Sequence, residues 1–323
     1  MNSKQNSFGL TDFAKLEERK RFHVLWLSCI LLIQAVVLGW GAWRHSPTYD
    51  ELAHLPAGLS HHRFGEFELY RVNPPLVRMV AAIPAMFVVC ETDWERYEKR
   101  DRSSKKRLDF LVGSDFVNAN GKDAFLLYTL ARWACIPFVL LGGVVIWLWG
   151  RDLYGYRAAW AAFIAWVSAP LVLGHGQLIT PDVPAASIGV FAFYMFWKWL
   201  RKCTWKAVLF AGLALGLAEL TKTSWLVALP IMIGLSLIQY IKFGGMPLKK
   251  SKLLAQVPCL FFIAWVVLLA GYQFDGTFKR LGDYQFSSRS LSGMSEMGKI
   301  GNRFEGTFLE NVCLLYTSDA ADE

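Results

Sequence analysis

Seven long apolar runs alternate with short charged connections along this chain, and their spacing is that of helices crossing a bilayer. A crossing helix needs about 20 apolar residues. The candidates are Phe22–Trp43, Ala124–Trp149, Ala158–Leu173, Val183–Leu200, Ala207–Leu220, Thr223–Ile241 and Leu253–Tyr272, of which Ala158–Leu173 and Ala207–Leu220 are short. An eighth stretch, "PPLVRMVAAIPAMFVVC" from Pro74 to Cys90, is nearly long enough but contains Arg78 and Pro84. Charge decides its fate. If it stays on one side, "RDLYGYR", "RKCTWK" and "KFGGMPLKKSK" all share a side with the basic N-terminus, as the positive-inside bias requires. If it crosses, all three move to the opposite side. The pattern therefore predicts an all-α polytopic membrane protein with about seven spanning helices, and an interfacial or re-entrant segment at Pro74–Cys90.

The resulting organisation is a cytoplasmic tail over 1–21, a membrane domain over 22–272 with a large outer loop over 44–123, and the start of a further outer loop over 273–312. The stretch "ETDWERYEKRDRSSKKRLD" in the first loop mixes both signs of charge and reads as a solvated excursion. The last eleven residues, "CLLYTSDAADE", resemble a translated sequencing adapter, so natural sequence is expected only as far as about Val312, and the chain is expected to be the front part of a longer protein.

Composition agrees with the pattern. The 323 residues are 54% hydrophobic and 19% charged, with a mean hydropathy of +0.31. That is too apolar for an ordinary soluble domain. The formal charge of +8 falls in short clusters between apolar runs, without the basic and aromatic groove pattern of a nucleic-acid binder. The cysteines have no CxxC or metal-ligand spacing, and neither do His54, His61 and His62, so no metal site is expected at these residues, and the sequence leaves a divalent-metal requirement open. No internal repeat supports a transporter, and the acids lie in loops instead of within spans.

Three places carry candidate chemistry. "SPTYDELAHL" puts Asp50 and Glu51 just past the first span, and Leu52, Leu55 and Leu59 have the spacing to pin the pair on an interfacial surface helix. On a helix, neighbouring side chains point about 100° apart, so Glu51 is expected to matter less than Asp50. "NPPL", Asn73 to Leu76, begins a segment that turns back toward the pair, with Arg71 before it and Arg78 one turn in. The second place is "GHGQLITPDVPAAS". Thr180 is a good N-cap with Pro181 at the first helical position, and Asp182 then lies in the first turn. Asp182 and His175 could face Asp50 across an outer cavity, with His54 beside it. The third is "LAELTKTSWL", where Lys222 is either an interface lysine or a cation for a lipid phosphate, with Glu219 as its expected partner.

These elements, in this order, resemble the GT-C membrane glycosyltransferases of the protein O-mannosyltransferase family (family 39) and the related aminoarabinose transferases of lipid A. The resemblance is carried by the acid pair, "NPPL", "GRDLYGYRAAWAAFIAWVSAP", "TPD" and "GLALGLAELTKTSWLVALP", from about Arg44 to Pro230. It implies transfer of a sugar from a polyprenyl-phosphate carrier to a protein or lipid-glycan hydroxyl on the outer face, with inversion. The expected location is a bacterial inner membrane. The implied catalytic acids are Asp50, Glu51 and Asp182, with Asp50 the general base. Lys222, Arg78 and Arg71 would meet the carrier phosphate. Asn73 stands where some relatives carry a basic residue, which departs from the pattern.

Overall fold

The computed structural model describes residues 10–100, 108–242, 247–275, 277, 280–284, 289–293 and 301–311. Among these the chain is all-α. Residues 313–323 and the middle of the charged excursion, 101–107, lie outside the described residues. In chain order the α-helices are α1 (Leu10–Arg44), α2 (Tyr49–Phe64), α3 (Leu76–Ala82), α4 (Glu95–Glu98), α5 (Asp109–Asn120), α6 (Ala124–Tyr154), α7 (Tyr156–Ser168), α8 (Pro170–His175), α9 (Asp182–Lys202), α10 (Trp205–Glu219), α11 (Ala228–Lys242), α12 (Pro247–Gly271) and the single turn α13 (Arg289–Ser292).

Among the described residues five stretches are long and apolar enough to cross a membrane: Arg21–Arg44, Asp109–Tyr154, Asp182–Lys202, Thr223–Lys242 and Lys250–Gly271. The difference from the seven expected falls on the two short runs. Ala158–Leu173 breaks at Pro170, where Ala169 turns extended and splits it into α7 and α8. Ala207–Leu220 forms the 15-residue α10, held between α9 and α12. Its Gly212 and Gly216 face α12 so closely that a Cβ at either would lie 2.7 and 2.6 Å from the carbonyl oxygens of Leu260 and Ala264. Paired small residues of this kind let membrane helices approach. The stretch Leu76–Phe87 is a short apolar helical segment interrupted at Pro84, where a 3₁₀ turn begins.

α6 is the central element. Its first half carries the layer formed by α2, α3 and α5, and its length packs against α1, α7 and α9. The α2–α3–α5 layer has its own core, in which Leu55, Leu59, Val77, Ala81, Val112 and Phe116 meet Leu127, Tyr128 and Ala131 of α6. Two glycines set its thickness. A Cβ on Gly58 would sit 2.1 Å from the carbonyl oxygen of Arg78, and one on Gly113 would sit 2.2 Å from that of Leu52.

Two expectations change here. α2 is not a surface helix: residues 53 to 61 are buried throughout, because α3, α5 and α6 enclose the helix on several sides. The charged excursion is not simply solvated either. Trp94 and Tyr97 insert into the layer core, and the guanidinium of Arg100 lies over the Tyr97 ring while binding Glu66 and Glu68. Aromatic side chains spaced among the charges turn a polar loop into a cover for the end of α2.

Candidate active site

The acid pair splits into two unlike carboxylates. Glu51 is 0% exposed, and five donors converge on it. Its Oε2 accepts from the Thr48 amide at 2.8 Å, the Thr48 hydroxyl at 2.9 Å and Arg132 Nη2 at 2.6 Å. Its Oε1 accepts from Arg132 Nε at 2.8 Å and the Ile179 amide at 2.9 Å. The rest of the Arg132 guanidinium donates to the carbonyls of Ala42, His45 and Ser46. One buried ion pair thus ties the end of α1, the start of α2, the middle of α6 and the loop before α9. Burial alone would push the Glu51 carboxyl up. The hydrogen bonds and charge of Arg132, with the two amides, outweigh it and hold the group below the ordinary carboxylate range.

A carboxylate saturated in this way cannot reach an acceptor hydroxyl, so Glu51 positions and does not take a proton. Glu51 thus has a structural part that its place beside Asp50 in the sequence did not suggest. It does point away from Asp50, but it points into the core. Asp50 remains exposed in the first turn of α2 and makes no side-chain hydrogen bond or ion pair among the described residues. Arg132 was missed in the sequence, although an arginine inside an apolar span must find a partner.

A second buried cation holds the NPPL turn. Arg78, 2% exposed, donates through Nε to His61 Nε2 at 2.8 Å and through its other nitrogens to the carbonyls of Tyr70, Asn73 and Pro74. Burial lowers its pKa to about 10, so it stays charged at neutral pH. A carrier phosphate cannot reach it, and its assignment to phosphate binding is corrected to holding this turn. His61 meets the Glu66 carbonyl through Nδ1 at 2.9 Å. Since Arg78 can only donate, His61 must be neutral with its proton on Nδ1. Burial and the Arg78 charge push its pKa well down, in agreement. The turn itself docks on the end of α10, where the Leu76 amide donates to the Leu220 carbonyl at 3.2 Å.

Just past that point lies Lys222. Its partner is Asp182, at 2.8 Å, and not Glu219, which is buried at the end of α10. This pair is open to solvent, with side chains 38% and 51% exposed. Asp182 opens α9, but Thr180 does not cap it: the Thr180 hydroxyl is buried without a partner, and Pro181 occupies the N-cap position. The loop from Ile179 to Asp182 therefore links the two ion pairs, one residue binding Glu51 and the other Lys222. No hydrogen bond joins Asp50 to Asp182 or to His175, which is exposed at the end of α8. His54 is buried against the Tyr70 ring, 4.7 Å between centroids, and Arg71 is half-buried in the segment leading to Asn73. Among the described residues no three His, Cys, Asp or Glu side chains gather as a metal site would require.

Residues 128–269 match the family model described as dolichyl-phosphate-mannose-protein mannosyltransferase. The match runs from α6 into α12. It takes in Arg132, Asp182 and Lys222 and leaves the acid pair outside. No curated protein and no solved structure matches the chain. The family resemblance read from the sequence thus has independent support, and it is to a membrane glycosyltransferase of the mannosyltransferase type.

Proposed function

We propose that this chain, matched to the mannosyltransferase family over its α6 to α12 half, transfers a sugar from a polyprenyl-phosphate carrier to an acceptor hydroxyl with inversion, using Asp50 as general base. One observation carries the reading: the buried Glu51–Arg132 pair fixes the start of α2, so that the neighbouring carboxylate, Asp50, stands exposed and without a partner among the described residues. The acceptor oxygen attacks the anomeric carbon, and its proton passes to Asp50. The bond from that carbon to the phosphate oxygen breaks on the opposite face, and the phosphate leaves with the electron pair. It needs a cation and no proton, a task that suits Lys222 once Asp182 releases it. The expected setting is a bacterial inner membrane with this layer on the outer side.

The test is turnover of a polyprenyl-phosphate sugar by the purified protein. General-base catalysis contributes about 10²- to 10⁴-fold, so Asp50→Asn should lower turnover by that order with the fold intact. Near-normal turnover in the folded variant would remove Asp50 from the mechanism.

A further inference from the structure

At the end of the bundle remote from Glu51, α6 and α9 finish side by side in a group of rings and cations that no catalytic step uses. Arg151 lies 19 residues beyond Arg132, about 28 Å along α6 at 1.5 Å per residue. Arg151 donates to Oδ1 of Asp152 through Nε at 3.1 Å and Nη2 at 2.8 Å, and the Tyr194 hydroxyl donates to Oδ2 at 2.7 Å. That single carboxylate is thereby occupied. Lys198 Nζ lies 3.3 Å from the Tyr194 hydroxyl and 4.8 Å from the centre of its ring. Arg201 lies 4.9 Å from the centre of the Trp197 ring, which stacks on Tyr194 at an interplanar angle of 19°. Arg201 has no carboxylate partner among the described residues, and Lys198 reaches Asp152 only through its charge, without an ion-pair contact. Lys202 and Lys206 extend the same rim, both exposed.

We infer that this rim binds the phosphodiester headgroup of an anionic phospholipid. Charge complementarity selects the anion, since after Asp152 is neutralised the rim presents only cations. Position selects the lipid, because the rim crowns two helices apolar enough to cross the membrane. The rings around it, Tyr154 (80% exposed), Tyr156 and Trp205, are those of a membrane–water interface. Leu209 lies one turn below Trp205 on α10 and is also exposed, an apolar surface for the acyl chain. The rigid aromatic platform under Lys198 and Arg201 holds the cations where flexible side chains alone would not. The inference is independent of the transferase reading.

The experiment counts lipid retained by the purified chain in native mass spectrometry, with added phosphatidylglycerol, phosphatidylcholine or inorganic phosphate. Each basic residue near a membrane surface is worth about fivefold in binding. Phosphatidylglycerol should be held, and the Lys198→Gln, Arg201→Gln double variant should weaken it by about 10-fold or more. The charge-keeping Lys198→Arg, Arg201→Lys pair should retain it, as should Lys122→Gln, a change in the distant layer. Equal retention by the double Gln variant would overturn the inference, as would equally strong uptake of phosphatidylcholine or of inorganic phosphate by the unaltered chain.

Discussion

Two ion pairs bracket the same loop, and they differ in almost everything except charge. Glu51 and Arg132 have side chains 0% and 1% exposed, and every polar hydrogen between them has an acceptor. Asp182 and Lys222 meet through one contact in solvent. A buried pair repays its desolvation only when its geometry is complete, and removing one partner leaves an uncompensated charge. An exposed pair gains little, so it can exchange partners without loss of the fold. The buried pair therefore fixes architecture, and the open pair is the one to which the proposed mechanism gives the phosphate. Sequence proximity to a conspicuous acid does not distinguish the two roles, but burial does.

The largest expected effect comes from breaking the buried pair. Arg132→Met should destabilise the folded protein by about 3–5 kcal/mol, read as a loss of folded yield or a large fall in thermal midpoint in detergent. If Arg132→Met unfolds at the unaltered midpoint, the pair does not hold the four segments together. Glu51→Gln should follow at a smaller cost, because the amide nitrogen places a donor where Arg132 and the Thr48 or Ile179 amide also donate. Its effect should appear in stability as well as turnover, whereas Asp50→Asn should affect turnover alone.

pH sharpens the comparison. The folded-state pKa of His61 lies well below its unfolded value near 6.5. Below that pH the unfolded chain takes up a proton that the folded chain refuses, so stability present at neutral pH is lost as pH falls, by up to about 1.4 kcal/mol per pH unit. Thermal midpoints between pH 5 and 7.5 should show this slope, and His61→Gln should flatten it. Glu51 acts in a lower window. Its stabilisation is present above the ordinary carboxylate range and disappears only as pH falls through its depressed pKa.

The smallest stability effect belongs to the open pair. Lys222→Ala should change stability by less than about 1 kcal/mol yet weaken carrier binding, raising KM for the lipid-linked sugar. Asp182→Asn should leave stability equally unaffected and strengthen carrier binding, because it frees Lys222. A parallel rise in KM for both variants would mean that the pair acts as a unit and does not open for phosphate.

Apolar periodicity carried most of the fold. The long runs of the sequence became α1, α6, α9, α11 and α12 because about 20 apolar residues suffice to make a bilayer-spanning helix whatever its neighbours. Arg78 and Pro84 made Pro74–Cys90 ambiguous in the sequence, and the short helix Leu76–Ala82 followed by a 3₁₀ turn from Pro84 is what forms there. The order of short motifs also pointed to the family whose model residues 128–269 match. Side-chain roles needed the tertiary structure, because they depend on contacts between residues far apart in the chain. Glu51 meets Arg132 across 81 positions and Ile179 across 128, and Lys222 meets Asp182 across 40. In the sequence Asp50 and Glu51 are adjacent carboxylates with nothing to show which one is buried. One is enclosed and saturated and the other is left open, because the α1–α2 junction packs against α6, and only that packing sets the local dielectric and supplies the donors.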